Sequence, residues 1–217
     1  MKRIVRVAGT AVCILVFLSS LTYAFKEPFK SLVRQRVIER IVTDIETAQG
    51  NIEFQVPATD CLAVNGEEDL DIDLSSFGQS DTLHLAGLLE IPSIGVTEPC
   101  WIECSRLALR YGVCIWPDSA MPGEAGNCTI LGHRNRHIST IFCHLQEIET
   151  GAKVYFTLPS GEKLEYEVSR TLNVAPKDIE RLIEKSASKE SQLTIITCAT
   201  ELGAGYRFAA VCRLIRD

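Results

Sequence analysis

Leu193-Thr194-Ile195-Ile196-Thr197-Cys198 is followed, after one short connection, by Tyr206-Arg207-Phe208-Ala209-Ala210-Val211. Both runs read as β-strands. The connection from Ala199 to Gly205 holds two glycines and little that is apolar, so the pair predicts a β-hairpin. A hairpin sets the end of its first strand beside the start of its second. Cys198 and Arg207 occupy those places, which puts a thiol and a permanent cation face to face across the strand pair. The expected chemistry is a cysteine nucleophile with a cation that stabilises its oxyanion.

Outward from this hairpin, residues 87–91, 127–131, 153–158, 164–174, 193–199 and 207–215 all read as strands. Pro92, Pro99, Pro122-Gly123, Gly126, Gly151 and Pro159-Ser160-Gly161 punctuate them at short intervals. Helical pattern here is limited to Ser105 to Arg110, a turn around Thr140 to Leu145, and Pro176 to Lys185. The predicted fold is mainly β, a mostly antiparallel barrel or sandwich with a few short helices, over 85–217.

Residues 7–25 form an uncharged apolar run, preceded by Lys2, Arg3 and Arg6 in a tail of 1–6. The run is about long enough to span a bilayer, with the positive flank holding the tail in the cytoplasm and the rest outside. A cleaved signal peptide competes, since Thr22-Tyr23-Ala24 has small residues near a cleavage position. Both readings export the domain. Residues 26–50 place Phe29, Leu32, Val33, Val37, Ile38, Ile41, Val42 and Ile45 at helical spacing, an amphipathic helix that packs on the domain or the membrane surface. Residues 51–84 carry Glu67-Glu68-Asp69, Asp71 and Asp73 and read as an acidic, solvated linker; a calcium loop is the weaker reading.

The net charge of −6 gives no support for nucleic-acid binding. The chain has nine cysteines, and Cys13 lies in the apolar run. If Cys198 is a free thiol, at least one of the remaining seven is unpaired or bonds elsewhere, and the spacing shows no connectivity. For a base, the sequence offers His84, His133, His137 and His144. His133 ends the apolar run Thr129-Ile130-Leu131-Gly132, where a strand meets a loop and a side chain is both fixed and accessible. His84 and His144 fit packing or surface roles better. The shortness of the hairpin connection makes Glu201 and Tyr206 the expected contacts at the rim of the site.

Pro122-Gly-Glu-Ala-Gly-Asn-Cys-Thr-Ile-Leu-Gly-His133-Arg134-Asn135, Leu193-Thr-Ile-Ile-Thr-Cys198 and Tyr206-Arg207-Phe208 together resemble the three signature blocks of the sortases. The resemblance runs from about Leu85 to Ile215. It implies an eight-stranded sortase-type β-barrel and a membrane-anchored cysteine transpeptidase of Gram-positive bacteria. Such an enzyme cuts a C-terminal sorting motif of the Leu-Pro-x-Thr-Gly kind between Thr and Gly, then passes the acyl group to an amine such as a cell-wall precursor. Carried over by position, Cys198 is the nucleophile, His133 the general acid and base, Arg207 the oxyanion or substrate clamp, and Thr197 part of the oxyanion site. No cofactor or metal is expected. The short segment from Val174 to Gln192, the absence of a recognisable lid, and the absence of a second apolar span after Ile215 favour a class A-like or D-like member. The stretch 102–112 has no acidic cluster, Glu103 being its lone carboxylate, which puts the calcium site of some class A members in doubt.

With ordinary pKa values near 8.5 for Cys and 6.5 for His, about one molecule in a hundred carries thiolate and imidazolium together, so a modest turnover is expected. Two other functions remain open at this level. One is a non-catalytic metal-binding ectodomain using Cys128, His133, His137 and Cys143; the other is a plain cysteine endopeptidase, which differs only in its acceptor.

Overall fold

The computed structural model describes residues 20, 36, 38–45, 47, 52–55, 82–134, 141–183, 190–203 and 205–215. The apolar run 7–25, apart from Ser20, and the acidic run lie outside them. Among the described residues no helix is long and apolar enough to cross a membrane. Residues 38–45 are helical, as the periodicity predicts, with Ile41 and Ile45 buried one turn apart and Arg40, exposed, and Asp44, half-exposed, on another face.

Nine strands follow among the described residues: β1 (Glu53–Gln55), β2 (Thr82–Ile91), β3 (Val96–Trp101), β4 (Val113–Ile115), β5 (Gly126–Leu131), β6 (Lys153–Thr157), β7 (Lys163–Val174), β8 (Ser191–Cys198) and β9 (Arg207–Leu214). The hydrogen-bonded order from β2 is β2-β3-β4-β5-β8-β9-β7-β6. Pairing of β6 back onto β2, from Leu88↔Thr157 to Glu90↔Tyr155, closes those eight strands into a barrel and leaves them no free edge. β1 adds to the first turn of β2 outside the closure, through Phe54↔Leu83 and the bond from Leu85 N–H to the Ile52 carbonyl.

The expected strands are all present. Three further ones are too short or too interrupted to read from the sequence. β3 contains Pro99, which the sequence reading treats as a break. Pro99 pairs with Leu88 of β2, but its carbonyl lies beside Gly112, on the side where β4 joins β3 only at Cys100 and Trp101; the missing N–H faces the same side and costs no ladder bond. Ordered barrel structure also begins at Thr82, a few residues ahead of the expected boundary.

Alternation along each strand sorts side chains into two sets. Cys128 and Ile130 of β5, Leu193 and Ile195 of β8, and Phe208, Ala210 and Cys212 of β9 point into the barrel, where they pack with Phe142, Phe156, Tyr166 and Ile91. The alternate residues point outward, and most are also covered. The helix Arg106–Tyr111 connects β3 to β4, capped by Ser105, whose hydroxyl accepts from Ala108 N–H. Phe54 of β1 stacks near Trp101 and Tyr111, so the added strand and this helix share an aromatic seam. His84 is part of the same region. Glu103 accepts from its backbone N–H and pairs with its ring, which raises the imidazole above its ordinary value.

Candidate active site

β5, β8 and β9 lie side by side, and their neighbouring ends carry the three residues singled out above. β5 and β8 run parallel, with Ile130↔Ile195 and Leu131↔Ile196 in register. Gly132 N–H donates to the Ile196 carbonyl at 3.1 Å, which continues the ladder beyond the assigned strand. Two residues on, the same register sets His133 beside Cys198. On the other flank, β8 and β9 are antiparallel and end on the pair Cys198↔Arg207.

Facing follows from parity. Ile195 points inward, so Ile196 and Cys198 point outward; Ile130 points inward, so Leu131 and, by continuation, His133 point outward; Phe208 points inward and Arg207 outward. All three side chains therefore leave the same face at one end of the barrel. Strand spacing of about 4.8 Å sets Cys198 one strand from each partner. Cys198 and His133 are partly exposed, whereas Arg207 is 2% exposed, a guanidinium held largely out of water. One of its amino groups donates to the Tyr206 carbonyl at 3.1 Å. A low-dielectric setting strengthens what such a charge does for a neighbouring anion.

The strand ends are fixed by contacts on the opposite face. Thr197 is buried, and its hydroxyl donates to the Gly132 carbonyl at 3.0 Å. It thus ties β8 to the segment that carries His133, with its side chain on the side away from Cys198. Gly132 is required by close approach: a Cβ there would lie 2.1 Å from the Phe142 ring. Phe142 N–H donates to the His133 carbonyl, so the chain entering and leaving His133 is held by the same aromatic residue.

Glu201 and Tyr206 both fall between β8 and β9, Tyr206 standing just before the strand it is expected to open. The Glu201 carboxylate is engaged by Arg134 and by the Gln146 amide. Partial burial pushes its acidity the other way, but the hydrogen bonds from Arg134 and Gln146 prevail and hold the carboxyl down to about 2. This clasp joins the residue after His133 to the residues after Cys198. Arg134 and Gln146 are missed by sequence reasoning, since nothing local to either announces a partner 55 or 67 residues away. Tyr206 is half-buried against the core. Gly205 takes a positive φ of 77° and abuts Pro176, so the connection rests on the turn Pro176–Asp178.

The outward face of β5 and β8 runs away from the site through Asn127 and Thr194, joined at 2.7 Å, with Gln192 also donating to Asn127. Asn127 reaches across to the Leu182 carbonyl, which marks where the segment containing the helix Ile179–Ile183 crosses this face.

Of the other candidates, His144 is exposed and pairs with Glu147. His137 lies outside the described residues. Cys128 points into the barrel, where burial pushes its thiol up to about 12. Among the described residues no group of three or more His, Cys, Asp or Glu side chains is placed to hold a metal ion.

The family model described as Sortase domain matches residues 89–215. The chain belongs to the sortase family. It is similar to Sortase D of Bacillus subtilis, 32% identical over 118 residues that make up 54% of this chain and 56% of that one. It is also similar to Sortase A of Listeria monocytogenes, 26% identical over 131 residues, or 60% of this chain and 56% of that one. The chain thus spans 56% of the length of each of these curated relatives. Among solved structures, the Sortase D5 transpeptidase of Clostridium perfringens superposes with a TM-score of 0.54 at 25% identity, covering 61% of this chain and 79% of that one. The sortase barrel thus accounts for the eight-stranded closure, and the matched region contains the whole β5-β8-β9 site.

Proposed function

We propose that this sortase is a cysteine transpeptidase in which Cys198, His133 and Arg207 carry the reaction. The observation that supports it is their emergence from one face at the ends of three adjacent strands, with Cys198 in the middle. In the proposed reaction the Cys198 thiolate attacks the Thr carbonyl of a Leu-Pro-x-Thr-Gly-like sorting motif. Arg207 holds the carbonyl oxygen as it becomes an oxyanion, an effect worth about 10² to 10³ in rate for a donor of this kind. Protonated His133 gives its proton to the departing glycine amine, leaving a thioester on Cys198. An incoming amine then loses a proton to His133 and displaces the sulfur, joining the client protein to the acceptor.

The clients are secreted proteins with a C-terminal sorting motif, and the acceptor is an amine such as a cell-wall precursor peptide. Residues 7–25, with the basic tail before them, anchor the chain in the cell membrane and leave the catalytic domain outside. Thr197 acts in this scheme through its bond to Gly132, by holding His133 against β8. Glu201 shapes the rim through its clasp with Arg134, leaving Tyr206 to support the connection from beneath.

Incubation with a sorting-motif peptide, with and without an added amine, tests the reading by mass spectrometry. Joined peptide–amine product that forms with wild type and is absent with Cys198→Ala is the expected result. Cleavage to the free acid alone, unaffected by the amine, would favour an endopeptidase. Stoichiometric zinc with full function in Cys198→Ala would favour the metal-binding ectodomain.

A further inference from the structure

Seven described cysteines are reduced in this structure, and two of them stand apart from the rest by position. Cys104 and Cys114 have their sulfur atoms 3.1 Å apart, both buried. Cys114 is the middle residue of β4; its neighbours Val113 and Ile115 point into the barrel, so Cys114 points outward. Cys104 immediately precedes Ser105, the cap of the helix Arg106–Tyr111. The two thiols therefore bracket that helix, one at its entry and one on the strand that follows it. Cys100, Cys128 and Cys212 belong to the barrel interior instead.

We propose that Cys104 and Cys114 are joined by a disulfide that staples the connecting helix to the outer wall of the barrel. A disulfide needs the sulfurs at about 2.05 Å, so closing the present contact takes about 1 Å of side-chain movement. The bond forms when one thiol, as thiolate, attacks the disulfide of an external oxidant, a dithiol oxidoreductase or a small disulfide. The second thiolate then attacks the protein sulfur of that mixed disulfide and expels the oxidant's remaining thiol. Two protons and two electrons leave the cysteines, and the oxidant is released as two thiols. Because only the short segment between the two residues must close, pairing is favourable before the helix packs and buries them.

The staple has a consequence for the neighbouring strand. Cys114 pairs with Leu131 across β4 and β5, and Leu131 stands two residues before His133. Fixing β4 to its incoming helix thus stiffens the edge that β5 lies against. It also gives two of the chain's thiols a partner in each other and leaves Cys198 outside the exchange.

The test uses the whole 217-residue chain. The chain is reduced in denaturant and refolded with oxidised glutathione, its remaining thiols are blocked with N-ethylmaleimide in denaturant, and the digest is read by mass spectrometry. A Cys104–Cys114 cross-linked peptide with Cys198 labelled is the expected result. Labelling of both Cys104 and Cys114, linkage of either to Cys100, or stoichiometric zinc in their place would overturn the proposal. Reduction in denaturant followed by refolding should lower the thermal midpoint of the oxidised protein by about 5–10 °C. Cys104→Ala/Cys114→Ala should lose that shift. If that variant does not fold, Cys100→Ala must retain both linkage and shift, and a wild-type midpoint indifferent to reduction would contradict the staple.

Discussion

Cys198 and Cys212 ride on the two arms of one hairpin and have nothing else in common. Cys212, opposite Leu193, points into the barrel and is fully buried, and loss of water pushes its thiol up to about 12. Cys198 ends its strand, points outward, is partly exposed, and stands between His133 and Arg207. Burial without a charge makes one thiol a packing group, as it does for Cys100. Strand parity and a position at the strand end give the other both access and partners. On the proposed function, these two backbone facts decide which of the hairpin's two cysteines is placed to react.

The sharpest way to break this contrast is to truncate each thiol. Cys198→Ala should reduce transpeptidation by about 10⁴-fold or more, while Cys212→Ala should leave kcat within about twofold and cost about 1 kcal/mol of stability through the small cavity. Equal losses of activity would remove the distinction between the two ends of the hairpin.

A smaller effect is expected at the cation. Arg207→Ala should lower kcat/KM by about 10² to 10³ with the thiol still alkylatable, and Arg207→Lys should recover only part because it lacks the planar fork. Next comes Gly132→Ala, which forces a Cβ into the Phe142 ring. It should destabilise the fold by about 1–3 kcal/mol in denaturant titration and lower kcat by displacing His133.

The smallest effect belongs to the clasp. Glu201 has a folded value of about 2, below its ordinary value near 4.5, so its contribution is present above the unfolded value and is lost as pH falls through the folded one. Wild type should exceed Glu201→Gln in stability by at most about 1 kcal/mol at pH 7, since the carboxylate is half-exposed. The gap should close between about pH 4.5 and pH 2. A gap independent of pH would show that the carboxylate charge is not what joins the two loops.

The hairpin was legible because both of its strands announce themselves locally and the connection is short enough to fix their register. His133 was legible as a strand end, since Thr129 to Leu131 are apolar or β-branched and Gly132 follows. β3 and β4 were not: Pro99 looks like a break unless one knows that β4 begins beside Cys100, and three residues carry too little periodicity to count as a strand. The parallel pairing of β5 with β8 was also invisible, because registers between segments about 65 residues apart are set by packing across the barrel. That pairing brings His133 to Cys198. Strand parity likewise turns Thr197, the neighbour of Cys198 in sequence, to the other side of the strand, and the contacts of Arg134 and Gln146 with Glu201 span too much sequence to leave a local signal.

The central claim is that Cys198 is the acyl carrier between His133 and Arg207. Trapping tests it directly: wild type mixed with a sorting-motif peptide in the absence of added amine, quenched in acid, and mapped by peptide mass spectrometry. A thioester-linked acyl fragment on Cys198 that disappears when an amine is supplied, and is never formed by Cys198→Ala, is expected. An acyl fragment on another residue, or peptide cleavage undiminished in Cys198→Ala, would contradict it.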